Sequence, residues 1–313
     1  MKVFINFFKG FRNTGKLTRM IIFLLVINLA FSLILAVPMY HSMKDSFGNS
    51  LVGDRMAKDF DYLWWEEYKD DAQGLEKTFT PSIIGKGAIL NNLEGLIQLR
   101  VFDLPPVILI FGLLYIILHT FLAGGILSFF RKGNTKFSLR DFFQGAGSFF
   151  FRFFLLMLFS WVFFLIIGQV VKGSFDSILS GMRETAFSEV SPFYWGLVFS
   201  AVVFFLFLFI QMVFDYGRIK IVVEDSPNVL TSAVGAFGFV FQHLGSTLGL
   251  FYLLFLVQIV FTLIYILIQG IIPQSSFLGV ALAFLFQQIF IFGLIWIRCW
   301  LYSSQMELYR YLK

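Results

Sequence analysis

Charge is what this sequence has least of. Asp, Glu, Lys and Arg together make up 14% of its 313 residues, where a soluble globular chain carries roughly 25%. So little charge cannot cover a water-facing surface of ordinary size, which excludes a soluble enzyme, a nucleic-acid binder and a disordered tail. Cysteine is nearly absent too. Cys299 stands alone, so neither an intramolecular disulfide nor a cysteine-based zinc cluster is available. The three histidines, His41, His119 and His243, are too scattered to suggest a metal site by spacing. What is abundant is apolar: 58% of the residues are hydrophobic, 45 positions are Phe, and the mean hydropathy is +0.82. The chain reads as a polytopic membrane protein.

A bilayer core takes about 20 apolar residues as helix. Uncharged runs of that length predict six spans, near 20–38, 104–130, 153–171, 192–214, 245–269 and 276–303. Pro38 closes the first. No Asp, Glu, Lys or Arg occurs between Asp225 and Arg298, and Gly270-Ile271-Ile272-Pro273-Gln274-Ser275-Ser276 divides that stretch into the last two spans. The first span reads as an anchor rather than a cleaved signal. The basic segment before it already contains Phe4, Phe7, Phe8 and Phe11, and no A-x-A site follows it. The expected fold is all-α, a single membrane domain over 1–313, with residues 39–103 as an external cap between the first two spans.

An even number of crossings returns the chain to its starting side. Fifteen of the 24 Lys and Arg residues fall on the side of the termini, whereas 14 of the 19 acids fall on the other. The positive-inside rule then puts both termini in the cytoplasm, and the expected location is the inner (cytoplasmic) membrane. Three short segments on that side read as amphipathic elbows leading into spans: Val3–Gly10, Ser138–Gly145 and Leu230–Gly235. With Phe or Leu on one face and Lys, Arg or Gln on another, such a segment lies in the interface plane. Elbow, span out, external connection and span back would then repeat three times, relating two-helix units by an axis along the membrane normal.

Within the cap, Asp54 is expected to start a helix from Arg55 through Tyr68, with Met56, Phe60, Leu63 and Trp64 on one broad face. Ser82–Leu99 is apolar again and is expected to dip into the interface. On a helix the carboxylates of Asp59 and Asp61 would point to different sides, so they read as solvated surface rather than a metal pair.

Candidate chemistry is thin. An ionisable group at membrane depth is a functional hypothesis by default, and His119 is one, but no Asp, Glu or Lys within the spans completes a proton relay. Interhelical hydrogen bonding is its expected role, and Gln211 and Gln258 read the same way. Neither a Gly-x-Ser-x-Gly elbow nor His-Glu-x-x-His nor a phosphate-binding glycine loop occurs. No catalytic residue, cofactor or metal ligand is therefore assigned, and the reading is not an enzyme. The densest polar cluster is expected on the fourth-to-fifth connection: Asp215, Arg218, Lys220, Glu224 and Asp225. Asp215 and Arg218 are one turn apart and can pair. Asp225-Ser226-Pro227 reads as the start of the next short helix, with Asp or Ser as cap and Pro at its first position. The cluster is either a helix end plus elbow or a surface for a cytoplasmic protein partner.

The run Asp215-x-x-Arg218 … Glu224-Asp225 … Ala233 … Gly235, with Gly124-Gly125-Ile126-Leu127 and Phe137-Ser-Leu-Arg-Asp-Phe-Phe143, resembles a bacterial inner-membrane pattern. It is similar to the integral membrane domain attached to some glycerophosphodiester phosphodiesterases, and to uncharacterised six-span proteins. The phosphodiesterase catalytic domain is not in this sequence, so the resemblance implies no catalytic residue here. The expected function is a non-enzymatic membrane component supporting transport, envelope assembly or a partner complex. The alternative is a permease, or the membrane subunit of an ATPase-driven transporter. The lipid bilayer is the expected partner, and nucleic acid is not.

Overall fold

The computed structural model describes residues 2–48, 50–56, 60–79, 81, 106–133, 136–186, 188–272 and 276–313. Among them the chain is all-helical, without a strand. In order the helices are α1 (Lys2–Gly15), α2 (Thr18–Phe47), α3 (Val52–Met56), α4 (Tyr62–Asp71), α5 (Pro106–Lys132) and α6 (Leu139–Leu165). A π-helical segment, Ile166–Val171, joins α6 to α7 (Lys172–Thr185), and α8 (Val190–Glu224), α9 (Val229–Gln242), α10 (Leu244–Gln269) and α11 (Phe277–Leu312) follow. Among the described residues six helical stretches are long and apolar enough to cross a bilayer: α2, α5, the α6–α7 run, α8, α10 and α11. The protein is a multi-pass membrane protein.

Several boundaries differ from expectation, each for a local reason. Pro38 does not end the first span, because α2 runs through it to Phe47. A proline inside a helix costs one backbone bond and a clash with the preceding turn. Here the turns beyond it are held by tertiary contacts, Phe47 against Trp64 and Ser42 against Glu76. The second expected elbow is no separate helix, since Ser138 caps α6 and its first turns continue straight into the span. In the cap, the helix starts at Tyr62, not Arg55. Asp61 is its N-cap, accepting from Trp64 N at 3.2 Å, and Arg55 pairs with the same carboxylate at 2.8 Å. Leu63 faces outward. Asp59 and Ser82–Leu99 lie outside the described residues.

The chain divides into two compact units. One comprises Leu17–Ile116 and Leu254–Cys299. In it Tyr115 donates to Asn28 Oδ1 at 2.8 Å, Phe31 meets Phe111, and Tyr265 stacks on Phe290 with centroids 3.9 Å apart. In the same unit Val52, Trp64 and Tyr68 form a small buried core, backed by Met43, Phe47 and Phe79.

The other unit comprises Met1–Lys16, Ile117–Leu253 and Trp300–Lys313. Every residue of α5 from Leu122 to Phe130 is buried there. Lipid tails are as apolar as Leu, so helices in a bilayer associate through close packing and polar contacts rather than hydrophobic drive. Gly125 shows the device: a Cβ there would come within 2.6 Å of the Phe142 ring, so only glycine lets α6 approach α5 this closely.

Candidate functional site

The polar cluster expected on a loop sits mostly on a helix. α8 continues to Glu224, ten residues past the expected end of its span at 214, so Asp215, Arg218, Lys220 and Glu224 all lie on it. The reason is packing. Met212, Val213, Phe214, Tyr216, Ile219, Ile221 and Val222 are all buried, and a helix with such a face continues as long as neighbours cover it. α6 and α9 are those neighbours.

Asp215 is fully buried and accepts from Arg218 Nη1 at 2.8 Å. The same guanidinium nitrogen donates to Tyr302 Oη on α11 at 3.4 Å. About two turns further along both helices, Glu224 Oε1 accepts from Tyr309 Oη at 2.5 Å and from Lys313 Nζ at 2.7 Å. Positions 218 and 224 on α8 thus match 302 and 309 on α11, so the two helix ends run parallel and are rung together by polar contacts. Tyr216 Oη, Ser304 Oγ and both Gln305 amide atoms, on the same two helix ends, are buried without a hydrogen-bond partner among the described residues.

Asp225 does not start the next helix. It terminates α8 in the left-handed region (φ 52°), the one non-glycine residue with positive φ among those described, a conformation that Asp tolerates better than most side chains. Asn228 is the N-cap of α9, its Oδ1 accepting from Thr231 N at 3.2 Å, and Pro227 lies outside the helix. Asp225 instead gathers two arginines. Arg152 Nη1 lies 3.0 Å from Oδ1 and Arg131 Nη1 3.6 Å from Oδ2, and Arg152 also donates to Ser226 O. The Arg152 hydrogen bond, with the Arg131 charge behind it, holds the Asp225 carboxyl below the ordinary Asp range. The end of α5 and the middle of α6 are thereby tied to the α8–α9 turn. Lys220 lies against Gly235 of α9, where a Cβ would come within 2.0 Å of its Nζ.

The sequence reading missed the α11 half of this arrangement. Tyr302, Gln305 and Tyr309 repeat at three and four residues, and that helical period past the expected end of the span at 303 was the available signal. The candidates at depth do not join it. His119, Gln211 and Gln258 are each exposed on their helices. Among the described residues no group of three or more His, Cys, Asp or Glu is placed to hold a metal. Near the start of α8, an open groove lined by Val190, Tyr194, Trp195 and Val198 is almost wholly apolar.

Chemically, the cluster is a set of mutually neutralised pairs. It can fix helix ends against one another, and a carboxylate already shared between cationic partners is a poor general base. No family model matches the chain, and no curated protein or solved structure matches it either.

Proposed function

We propose that this chain is a non-enzymatic protein of the inner membrane, with both termini cytoplasmic, that supports transport, envelope assembly or a partner complex as a membrane-embedded component. The observation that carries the reading is where the acids of the basic side go. Four of the five, Asp215, Glu224, Asp225 and Glu307, are matched within the chain by Arg218, Lys313, Arg131 with Arg152, and Lys9 with Arg310, and the fifth, Asp141, lies in the first turn of α6. Acids beside an anionic leaflet are unfavourable, and these intrachain bases offset that cost without a docked protein. The polar residues therefore serve to hold helix ends together, which suits a scaffold better than a catalyst. The 15 basic residues on this side favour the cytoplasmic assignment. On the short motifs noted above, we take the chain as a counterpart of the membrane domain that some glycerophosphodiester phosphodiesterases carry.

Purification of the tagged chain in mild detergent tests this. The scaffold reading expects the eluate to hydrolyse ATP no faster than a mock purification. ATP hydrolysis that co-elutes with the chain through size exclusion would favour the membrane subunit of a driven transporter.

A further inference from the structure

The N-terminal helix divides into three sectors. Asn6, Gly10 and Thr14, four residues apart, are buried, and Gly10 lies against the C-terminal part of α11. Trp300 Nε1 donates to Phe7 O at 2.8 Å, and a Cβ on Gly10 would fall 2.8 Å from Ser304 Cα. Glu307 meets Lys9 at 3.3 Å and Asn13 at 3.4 Å, and Lys2 sits over the Tyr311 ring. These contacts fix the roll of α1 about its axis. The roll turns Phe4, Phe8 and Phe11 outward, 58%, 64% and 47% exposed. At 3.6 residues per turn, these three share one sector. Lys2, Lys9, Arg12 and Lys16 share the next, and all four are exposed. No acid occurs before Asp45.

We propose that α1 is an anionic-lipid anchor: its Phe sector enters the acyl boundary of the leaflet on the side of the termini while its basic sector engages lipid phosphates. Aromatic and basic sectors side by side are what an interfacial helix requires. Charge selects the occupant: with Lys9 paired to Glu307, a second copy of the chain would still set Lys2, Arg12 and Lys16 against the same three bases, whereas an anionic leaflet complements them. Packing on α11 adds what a free amphipathic helix lacks, a roll set in advance, so no ordering of the helix is needed on contact with lipid. The inference rests on the membrane and orientation reading given above.

The test uses the full chain in nanodiscs of phosphatidylcholine, with or without phosphatidylglycerol, in a Cys299→Ser background. A spin label at Phe8→Cys should be accessible to dissolved oxygen and shielded from a water-soluble nickel chelate. Arg12→Gln and Lys16→Gln, both exposed, should weaken phosphatidylglycerol binding to the folded chain in detergent titration roughly fivefold for each charge removed. A Phe8→Cys label open to the nickel chelate would overturn the proposal. So would a label shielded from both reagents, which would mean a protein surface covers α1, or binding indifferent to the two Gln substitutions. Failure of the orientation reading is distinguishable: it would exchange thiol labelling at Ser50→Cys and Lys136→Cys, which failure of the lipid anchor leaves unchanged.

Discussion

Asp215 and Arg218 stand one turn apart on α8 with 2.8 Å between Oδ1 and Nη1, and no part of the carboxylate reaches the surface. A buried pair adds little net stability over apolar residues, but removing one partner strands the other charge at a cost of about 3–5 kcal/mol. Asp215→Ala should therefore lower unfolding stability in detergent by about that amount. Asp215→Leu combined with Arg218→Leu should be distinctly milder. Exchanging the charges, Asp215→Arg with Arg218→Asp, should recover only part of the loss, because an Asp at 218 is too short to reach Tyr302 as the Arg218 guanidinium does. Thermal unfolding of the three variants beside wild type checks the order.

The clamp at Asp225 should be sensitive to acid. Its folded pKa is depressed by Arg152 and Arg131 below the ordinary value of 3.8. Stability from a depressed carboxyl is fully present above the unfolded value and is lost as pH falls through the folded one. The clamp should hold at neutral pH and loosen only below about pH 4. The Asp225 side chain is 56% exposed, so Asp225→Asn should cost at most about 1 kcal/mol at neutral pH. Asp225→Ala should cost more, since Ala suits the left-handed conformation less well. Asn228→Ala, which removes the α9 cap, should cost about 1 kcal/mol. Thermal midpoints measured across pH for wild type and Asp225→Asn should converge in acid.

Gly10 is a steric requirement. Its missing Cβ would lie 2.7 Å from Ser304 N and 2.8 Å from Ser304 Cα, and backbone cannot swing aside as a side chain does. Gly10→Ala should push α1 off α11 at about 1–3 kcal/mol, and Ser304→Gly should not restore it. Trypsin cleavage at Arg12 should become faster in the variant than in wild type.

The spans were legible because an uncharged run long enough to cross a bilayer needs no tertiary context to be recognised. Where helices end beyond the bilayer core depends on context. The turns of α2 past Pro38 exist because Ser42, Ser46 and Phe47 meet Glu76 and Trp64, partners remote in sequence. The extension of α8 past 214 depends likewise on cover from α6 and α9. Cap residues were ambiguous for a different reason. Asp54 and Asp61, or Asp225 and Asn228, carry the same capping chemistry, and the deciding factor is which of them has an extended backbone, as Asp61 and Asn228 do. The spacing of Asp215 and Arg218 permitted their pairing, whereas Tyr302, Tyr309 and Lys313 became visible only once α8 and α11 were side by side.

In the arrangement we propose, the chain spans the membrane six times with its termini and paired-charge helix ends facing the cytoplasm. Single cysteines at Ser50 and Lys136 in a Cys299→Ser background, probed with a membrane-impermeant thiol reagent on intact and permeabilised cells, test it most directly. The account predicts that Ser50→Cys is labelled in intact cells and Lys136→Cys only after permeabilisation; labelling of both positions from the same side would contradict it.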